Sequence, residues 1–288
     1  MSHLALVFLG DCVGGAGRRA VAKAVHHFRN QPEPVVLIAN GENSRNGSGL
    51  SPDNYRELRR AGGPGRPGGA LDAVTLGDHC FRDRTITPLL DDPSEPLCRP
   101  ANLSPHAPGK RRVRIDNPAT PGLAPVYVLT VLGRLFMPVP ADSPFDAVDR
   151  ELDSIPERDA IVIVEVHAEA SSEKQAMAWH CLEKWSSPSR ARVVAVLGTH
   201  THVQTNDARI LDLALACCTD VGMCGPHRSV IGRDIHATLE AMTKQTPTPL
   251  DVASDDLRAR GVLVRVDLSS RSPASIELLD LPCSARDD

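Results

Sequence analysis

The chain has 288 residues, 41% apolar but only 3% aromatic, so a large core must be built from Val, Leu, Ile and Ala. Its formal charge of −4 excludes a global positive field and a stable nucleic-acid partner, and no run is long and apolar enough to predict a membrane span. The eight cysteines (12, 80, 98, 181, 217, 218, 224, 283) form no CxxC pair, which argues against a zinc ribbon or disulfide framework and predicts free thiols in a reducing cytoplasm.

In chain order, "LALVFLG" (4–10) is the first predicted strand. It lacks a basic leader and is interrupted at Asp11, so a secretory signal is not expected. A helical pattern follows in "GRRAVAKAVHHFRN" (17–30), then the strand "VVLIAN" (35–40) and the helix "SPDNYRELRRAG" (51–62). "GGPGRPGG" (62–69) reads as a flexible loop, followed by the strand "DAVTLG" (72–77). "SPHAPGKRRVRIDNPATPGLAP" (104–125) reads as a second flexible loop, with "GKRRVR" a solvated basic stretch inside it. The strands "VYVLTVLG" (126–133), "IVIVEVH" (161–167) and "VVAVLG" (193–198) come next, with the helix "SSEKQAMAWHCLEKW" (171–185) between the last two. A turn-rich piece, "GMCGPHRSVIGRD" (222–234), precedes the last strand, "GVLVRVDL" (261–268). His26, His27 and His180 fall on helices and read as structural or surface residues.

The apolarity of these runs is continuous rather than alternating, which predicts strands buried on both faces. Strand and helix alternate over most of the length, so an α/β fold with outer helices is expected. No repeat and no linker divides the chain, and one domain over 1–288 is expected.

Ligands of layered α/β proteins bind beyond the carboxyl ends of strands. Here those ends carry Asp11, then Glu42 and Asn43, then Asp78 and His79, then His167, and finally His200 and His202 in "GTHTHVQT" (198–205). Each has a plainer reading: Asp11 as a helix N-cap, Glu42 as a loop carboxylate, His167 as a satisfied core histidine, His200 and His202 as loop residues bonded to backbone. In an extended backbone His200 and His202 would point to one side, toward a common ion. Oxygen and imidazole donors without thiolate suit manganese, iron or zinc rather than a structural zinc. Seven or eight ligands exceed one ion, whereas two ions ~3.5–4 Å apart, bridged by one carboxylate, would use them all. A rival reading takes Gly15-x-Gly17-x-x-Ala20, with Glu42 further on, as a dinucleotide fingerprint. Asp11 would repel a pyrophosphate there, and the histidines would go unexplained.

The motifs "GDCVGGAGRRAV", "IANGENSRNGSGL", "TLGDH", "RPAN", "GRLFM", "VHAEASSEK", "GTHTHVQT" and "DVGMCGP", in this order, resemble those of YmdB-like metallophosphoesterases. That family lies in the calcineurin-like superfamily and includes 2′,3′-cyclic-nucleotide phosphodiesterases. The resemblance runs from about residue 4 to about residue 268. It implies a four-layer α/β/β/α sandwich of two mixed sheets, with two metal ions, iron and/or manganese (zinc also fits), at the strand ends. One metal would take Asp11, Glu42, Asn43 and His202; the other would share Glu42 and add residue 78, His167 and His200. His79 matches the family's proton donor. The implied activity is hydrolysis of a small phosphodiester, a 2′,3′-cyclic nucleotide or a relative, by metal-bridged hydroxide attack. Members often form homo-oligomers, although no stretch of this sequence marks an interface.

Three departures stand out: Asp78 replaces the family's Asn, "CFRD" (80–83) replaces a Trp-Asp pair, and the 62–69 loop looks longer. Asp78 motivates a second reading, a metal-binding regulatory or scaffold protein with weakened or lost catalysis. Glu165, Glu169 and Asp220 are candidates for orienting the imidazoles through their second nitrogens.

Overall fold

The computed structural model describes residues 3–60, 71–116, 124–187 and 189–283. The predicted loop at 62–69 and the 117–123 part of the second loop lie outside them. The first half of the chain gives β1 (His3–Leu9), β2 (Asp11–Cys12), α1 (Gly14–Arg29), β3 (Val35–Asn40), α2 (Pro52–Arg60), β4 (Ala73–Thr75), α3 (Thr87–Asp91), β5 (Leu97–Cys98), β6 (Arg112–Ile115) and β7 (Val126–Leu132). The second half gives α4 (Pro144–Asp153), β8 (Ile161–His167), α5 (Ser171–Trp185), β9 (Arg192–Thr199), β10 (Arg209–Leu211), β11 (Leu215–Cys218), β12 (Met223–Pro226), α6 (Ile235–Lys244), β13 (Leu257–Asp267) and β14 (Ser272–Pro282).

The continuous apolar runs become central strands because both of their faces are buried. Along β1, Ala5, Val7 and Leu9 face one core while Leu4, Leu6 and Phe8 face another. Along β8, Val162, Val164 and Val166 pack outward under helices, and Ile161 and Ile163 pack inward. The inward residues of both sheets form one shared middle layer. On its two sides, α1, α2 and α3 cover one sheet, while α4 and α5 cover the other. This is the expected four-layer α/β/β/α sandwich. One sheet runs β2-β12-β13-β1-β3-β4-β5 with β14 added on β13; the other runs β10-β11-β9-β8-β7-β6. Both are mixed: β1 is parallel to β3 but antiparallel to β13, and β8 is parallel to β7 and β9 while β6 opposes β7.

Two stretches expected as loop or turn are strands. β6 lies inside the predicted 104–125 loop, because Arg-Val-Arg-Ile alternates with period two: Val113 and Ile115 are buried while the arginines face out. It closes the edge of its sheet, and Arg112 reaches Glu151 at 2.6 Å, so the basic run is paired rather than simply solvated. β12 lies inside the turn-rich 222–234 piece and joins β2 to β13. No described helix is long and apolar enough to cross a membrane. All eight cysteines are free.

Candidate metal centre

Each predicted site residue is delivered by a strand end. Gly10 passes so close to Gly222 that a Cβ there would lie 1.9 Å from the Gly222 oxygen, an approach open only to glycine. The chain then pairs Asp11 with Met223 of β12 and buries the Asp11 carboxylate completely. Glu42 and Asn43 follow β3, and the Glu42 amide donates to Asn40 Oδ1 at 3.0 Å. Asp78 and His79 follow β4, His167 ends β8, and His200 and His202 lie just past β9.

Two groups of polar atoms result. His167 Nε2 lies 3.0 Å from Asp78 Oδ1, 3.1 Å from Glu42 Oε1 and 3.1 Å from His200 Nδ1. One donor atom from each of Glu42, Asp78, His167 and His200 lies within 4.8 Å of all the others. On the other side, Asn43 Nδ2 lies 3.1 Å from His202 Nε2, 3.3 Å from Glu42 Oε1 and 3.4 Å from Asp11 Oδ1. Glu42 Oε1 therefore belongs to both groups. His79 stands at the margin with a quarter of its side chain exposed, its Nδ1 2.9 Å from Asn43 Oδ1 and 3.6 Å from Glu42 Oε1.

The electrostatics call for a cation. Asp11, Glu42 and Asp78 put three carboxylates into a buried space. Burial pushes Asp11 up to about 7, against the downward pull of His167 and helped by the Glu42 and Asp220 charges. Burial also opposes ionisation of Glu42 and Asp78, but His167, by its charge and hydrogen bonds, outweighs it and holds both below the carboxylate range; His200 adds to this at Asp78. His167 itself is pushed down by burial, yet the Glu42 charge and the Asp78 hydrogen bond raise it well above the ordinary imidazole value.

The chemistry of the donor set fits metal ions: carboxylate oxygens, imidazole nitrogens and one amide converge. Gly77 keeps the space open, since a Cβ there would sit 2.4 Å from both Glu42 Oε2 and His167 Nε2. The neighbouring thiols are poor ligands, because burial pushes Cys12 and Cys80 up to about 12.

The extended geometry expected for His200 and His202 is corrected. Both lie beyond β9 with positive φ, 99° and 65°, so side chain alternation does not apply. Their nitrogens reach different groups for that reason. Such backbone is uncommon for a non-glycine residue, though histidine is among those that adopt it, and it is held from outside. The His200 amide donates to Asp11 Oδ2 at 3.1 Å. Between the two histidines, Thr201 donates its amide and hydroxyl to Asp220 Oδ2 at 3.2 and 2.8 Å. Asp220 is paired at 2.8 Å with Lys174, and both are buried.

The orienting carboxylates act less directly than expected. Glu165 meets no imidazole; it accepts from Thr199 Oγ1 at 2.7 Å, and that hydroxyl pairs with His167 Nδ1 at 2.9 Å. Asp220 acts through Thr201. Glu169 does reach His200 Nε2, at 3.4 Å, but is half exposed. His202 Nδ1 donates to the carbonyl of Ile231 at 3.0 Å. Thr199, Thr201, Lys174 and the Ile231 carbonyl were missed; the hydroxyls flanking His200 were the available signal, whereas nothing local marks Lys174 or Ile231.

Two of the other readings fail at specific points. Asp11 caps no helix, as Val13 precedes α1. Of the supposed dinucleotide glycines, Gly17 serves packing: a Cβ there would lie 2.5 Å from the Cys224 oxygen, so α1 sits directly against β12. His26, His27 and His180 lie away from the site, with His180 bonded to Asp149 at 3.0 Å.

A family model described as "YmdB-like protein" matches residues 7–279. The chain is 33% identical over 272 residues to a Bacillus subtilis protein named 2′,3′-cyclic-nucleotide 2′-phosphodiesterase, covering 94% of this chain and 95% of that one. A crystal structure of a hypothetical protein from Thermus thermophilus matches with a TM-score of 0.82 at 35% identity, over 97% of this chain and 100% of that one. A structure from Mycoplasma pneumoniae, titled as a novel phosphatase, matches with a TM-score of 0.83 at 26% identity, over 99% and 96% of the two chains.

Proposed function

The chain belongs to the YmdB-like protein family, and from that premise we propose that it is a metal-dependent phosphodiesterase acting on small diesters, 2′,3′-cyclic nucleotides foremost. The observation that carries the reading is Glu42 Oε1, 3.1 Å from His167 Nε2 in one donor group and 3.3 Å from Asn43 Nδ2 in the other. A carboxylate shared in this way supports a reading in which two cations would be held with Glu42 common to both. Asp11, Asn43 and His202 would hold one, and Asp78, His167 and His200 the other. The donor set suits iron and/or manganese, with zinc compatible.

Bound there, the cations supply Lewis acidity that activates water and offsets phosphate charge. The chain's own residues do the rest. Asn43 would turn its amide so that oxygen, not nitrogen, faces Asp11 and Glu42, a half-turn about χ2 that leaves the rest of the side chain in place. His167 is kept in place by Thr199 and Glu165. The His79 amide donates to Glu42 Oε2 at 3.1 Å, while its imidazole meets Asn43 and stands 3.6 and 3.7 Å from the Glu42 and Asp78 carboxylates. It is therefore not required as a ligand and is free to hold a proton for the leaving oxygen. Residues 11 to 202 of the site come from both sheets, which supports one catalytic unit over 1–288. Eight free cysteines, seven of them buried, support a reducing cytoplasm as its compartment.

The test is turnover of bis(p-nitrophenyl) phosphate and 2′,3′-cAMP with and without Mn²⁺. Metal-dependent turnover that is lost in His79→Ala is expected; no metal-dependent turnover on either diester contradicts the reading. Asp78 favours a second reading, a metal-binding scaffold or regulatory protein, because three carboxylates instead of two reduce the positive charge available to an anionic substrate. Bound metal without turnover would favour it.

A further inference from the structure

The segment "GRLFM" (133–137) stands beside the metal centre and contributes no donor to it. Gly133 donates its amide hydrogen to the His167 carbonyl at 3.0 Å, which ties the segment to the end of β8. Met137 is partly buried and packs against the core that lies under α1, α2 and α3. The segment therefore leaves β7 next to the end of β8 that carries His167, on the rim of the site.

This rim is held from beneath. The Arg134 and Leu135 amides both donate to the Glu173 carboxylate, in the first turn of α5, at 3.0 Å. At its tip Phe136 takes φ 63° and leaves 84% of its surface exposed. A bulky residue in left-handed backbone is an outlier, and such strain gathers at functional positions. Core packing does not account for it, since Phe136 belongs to none of the three described cores. Trp179 is the other exposed large aromatic among the described residues, and it lies within α5 rather than at a strand end.

We propose that Phe136 is a specificity-determining stacking platform for the base of a nucleotide substrate whose phosphodiester occupies the metal centre. The inference rests on the phosphodiesterase reading and narrows it to diesters that carry a flat ring. Every nucleobase offers a π-face, so one exposed ring selects for the presence of a base while tolerating its identity. The clamp from Glu173 fixes the platform before substrate arrives, so little ordering is left to binding.

The test compares 2′,3′-cAMP with ribose 2′,3′-cyclic phosphate, which carries the same reacting group and no base, on the Mn²⁺-loaded protein. Wild type should prefer the nucleotide. In Phe136→Ala, KM for 2′,3′-cAMP should rise about tenfold with kcat nearly unchanged, the abasic substrate should be unaffected, and Phe136→Trp should keep the preference. Calorimetric titration with 3′-AMP should show the same weakening as an equilibrium property. Equal losses on both substrates, or no change in selectivity, would overturn the inference, as would a wild type that treats the two alike. A wild type that turns over neither overturns the phosphodiesterase reading and this inference with it.

Discussion

Around Glu42 the site divides into two halves that are held by different means. In the half with Asp78, His167 and His200, His167 is the last residue of a central strand and fully buried. Its Nδ1 is fixed by Thr199, which is fixed in turn by Glu165. In the half with Asp11, Asn43 and His202, His202 sits on left-handed backbone off the strand and donates to the Ile231 carbonyl. Ile231 is half exposed and precedes α6, whose buried side chain among the described residues is Thr238 alone. Asp11 is anchored on β2 in this half, and His200 lies off its strand as His202 does; the halves differ in that His167 ends a central strand while His202 leans on a surface segment. Rigid strand ends can fix a donor outright, whereas a donor fixed by a loop shares that loop's mobility. On this account the two cations differ in how readily they exchange, and that of the His202 half leaves first.

The sharpest way to break the comparison is to remove one histidine from each half. His200→Ala and His202→Ala should each leave about one ion per chain and lower kcat/KM by more than the roughly 10–100-fold cost of losing an outer partner. Metal analysis with circular dichroism should find a folded protein in both cases. Full occupancy in both variants would remove these histidines from the site. A smaller effect on activity, but a large one on stability, is expected of Lys174→Met. It leaves Asp220 as a buried unpaired charge and should cost about 3–5 kcal/mol in chemical denaturation, with part recovered in Lys174→Met/Asp220→Asn. Since Asp220 holds Thr201 between the two histidines, metal retention should fall in both halves rather than one. The smallest effect belongs to Asp78→Asn. Removing one of three carboxylates should weaken retention of one ion by about tenfold and raise turnover per occupied site. Chelator resistance and turnover identical to wild type would show that Asp78 takes no part.

Much of this was legible in the sequence, for a physical reason. Strands buried on both faces must be continuously apolar, so β1, β3, β7, β8, β9 and β13 stood out, and the polar residues after them marked the site. Short or peripheral strands carry no such mark. β6 was hidden by its outward arginines, β12 by its glycine and proline, and β14 by an exposed face on which polar residues interrupt the apolar ones. At the site, residue types were legible but backbone was not. The positive φ of His200 and His202 depends on Asp11, Thr201, Asp220 and Lys174, which are brought together from distant parts of the chain. Glu165 was suspected, but its intermediary, Thr199, appears only when β8 and β9 lie side by side.

The most direct test of the central claim, that Glu42 joins two cation sites, is a Mn²⁺ titration of metal-free wild type and Glu42→Gln, followed by calorimetry and elemental analysis. The account predicts two ions per wild-type chain, bound in two distinguishable steps, and weakening of both steps in Glu42→Gln. A single ion per wild-type chain, or a Glu42→Gln variant that keeps both ions with unchanged affinity, would contradict it.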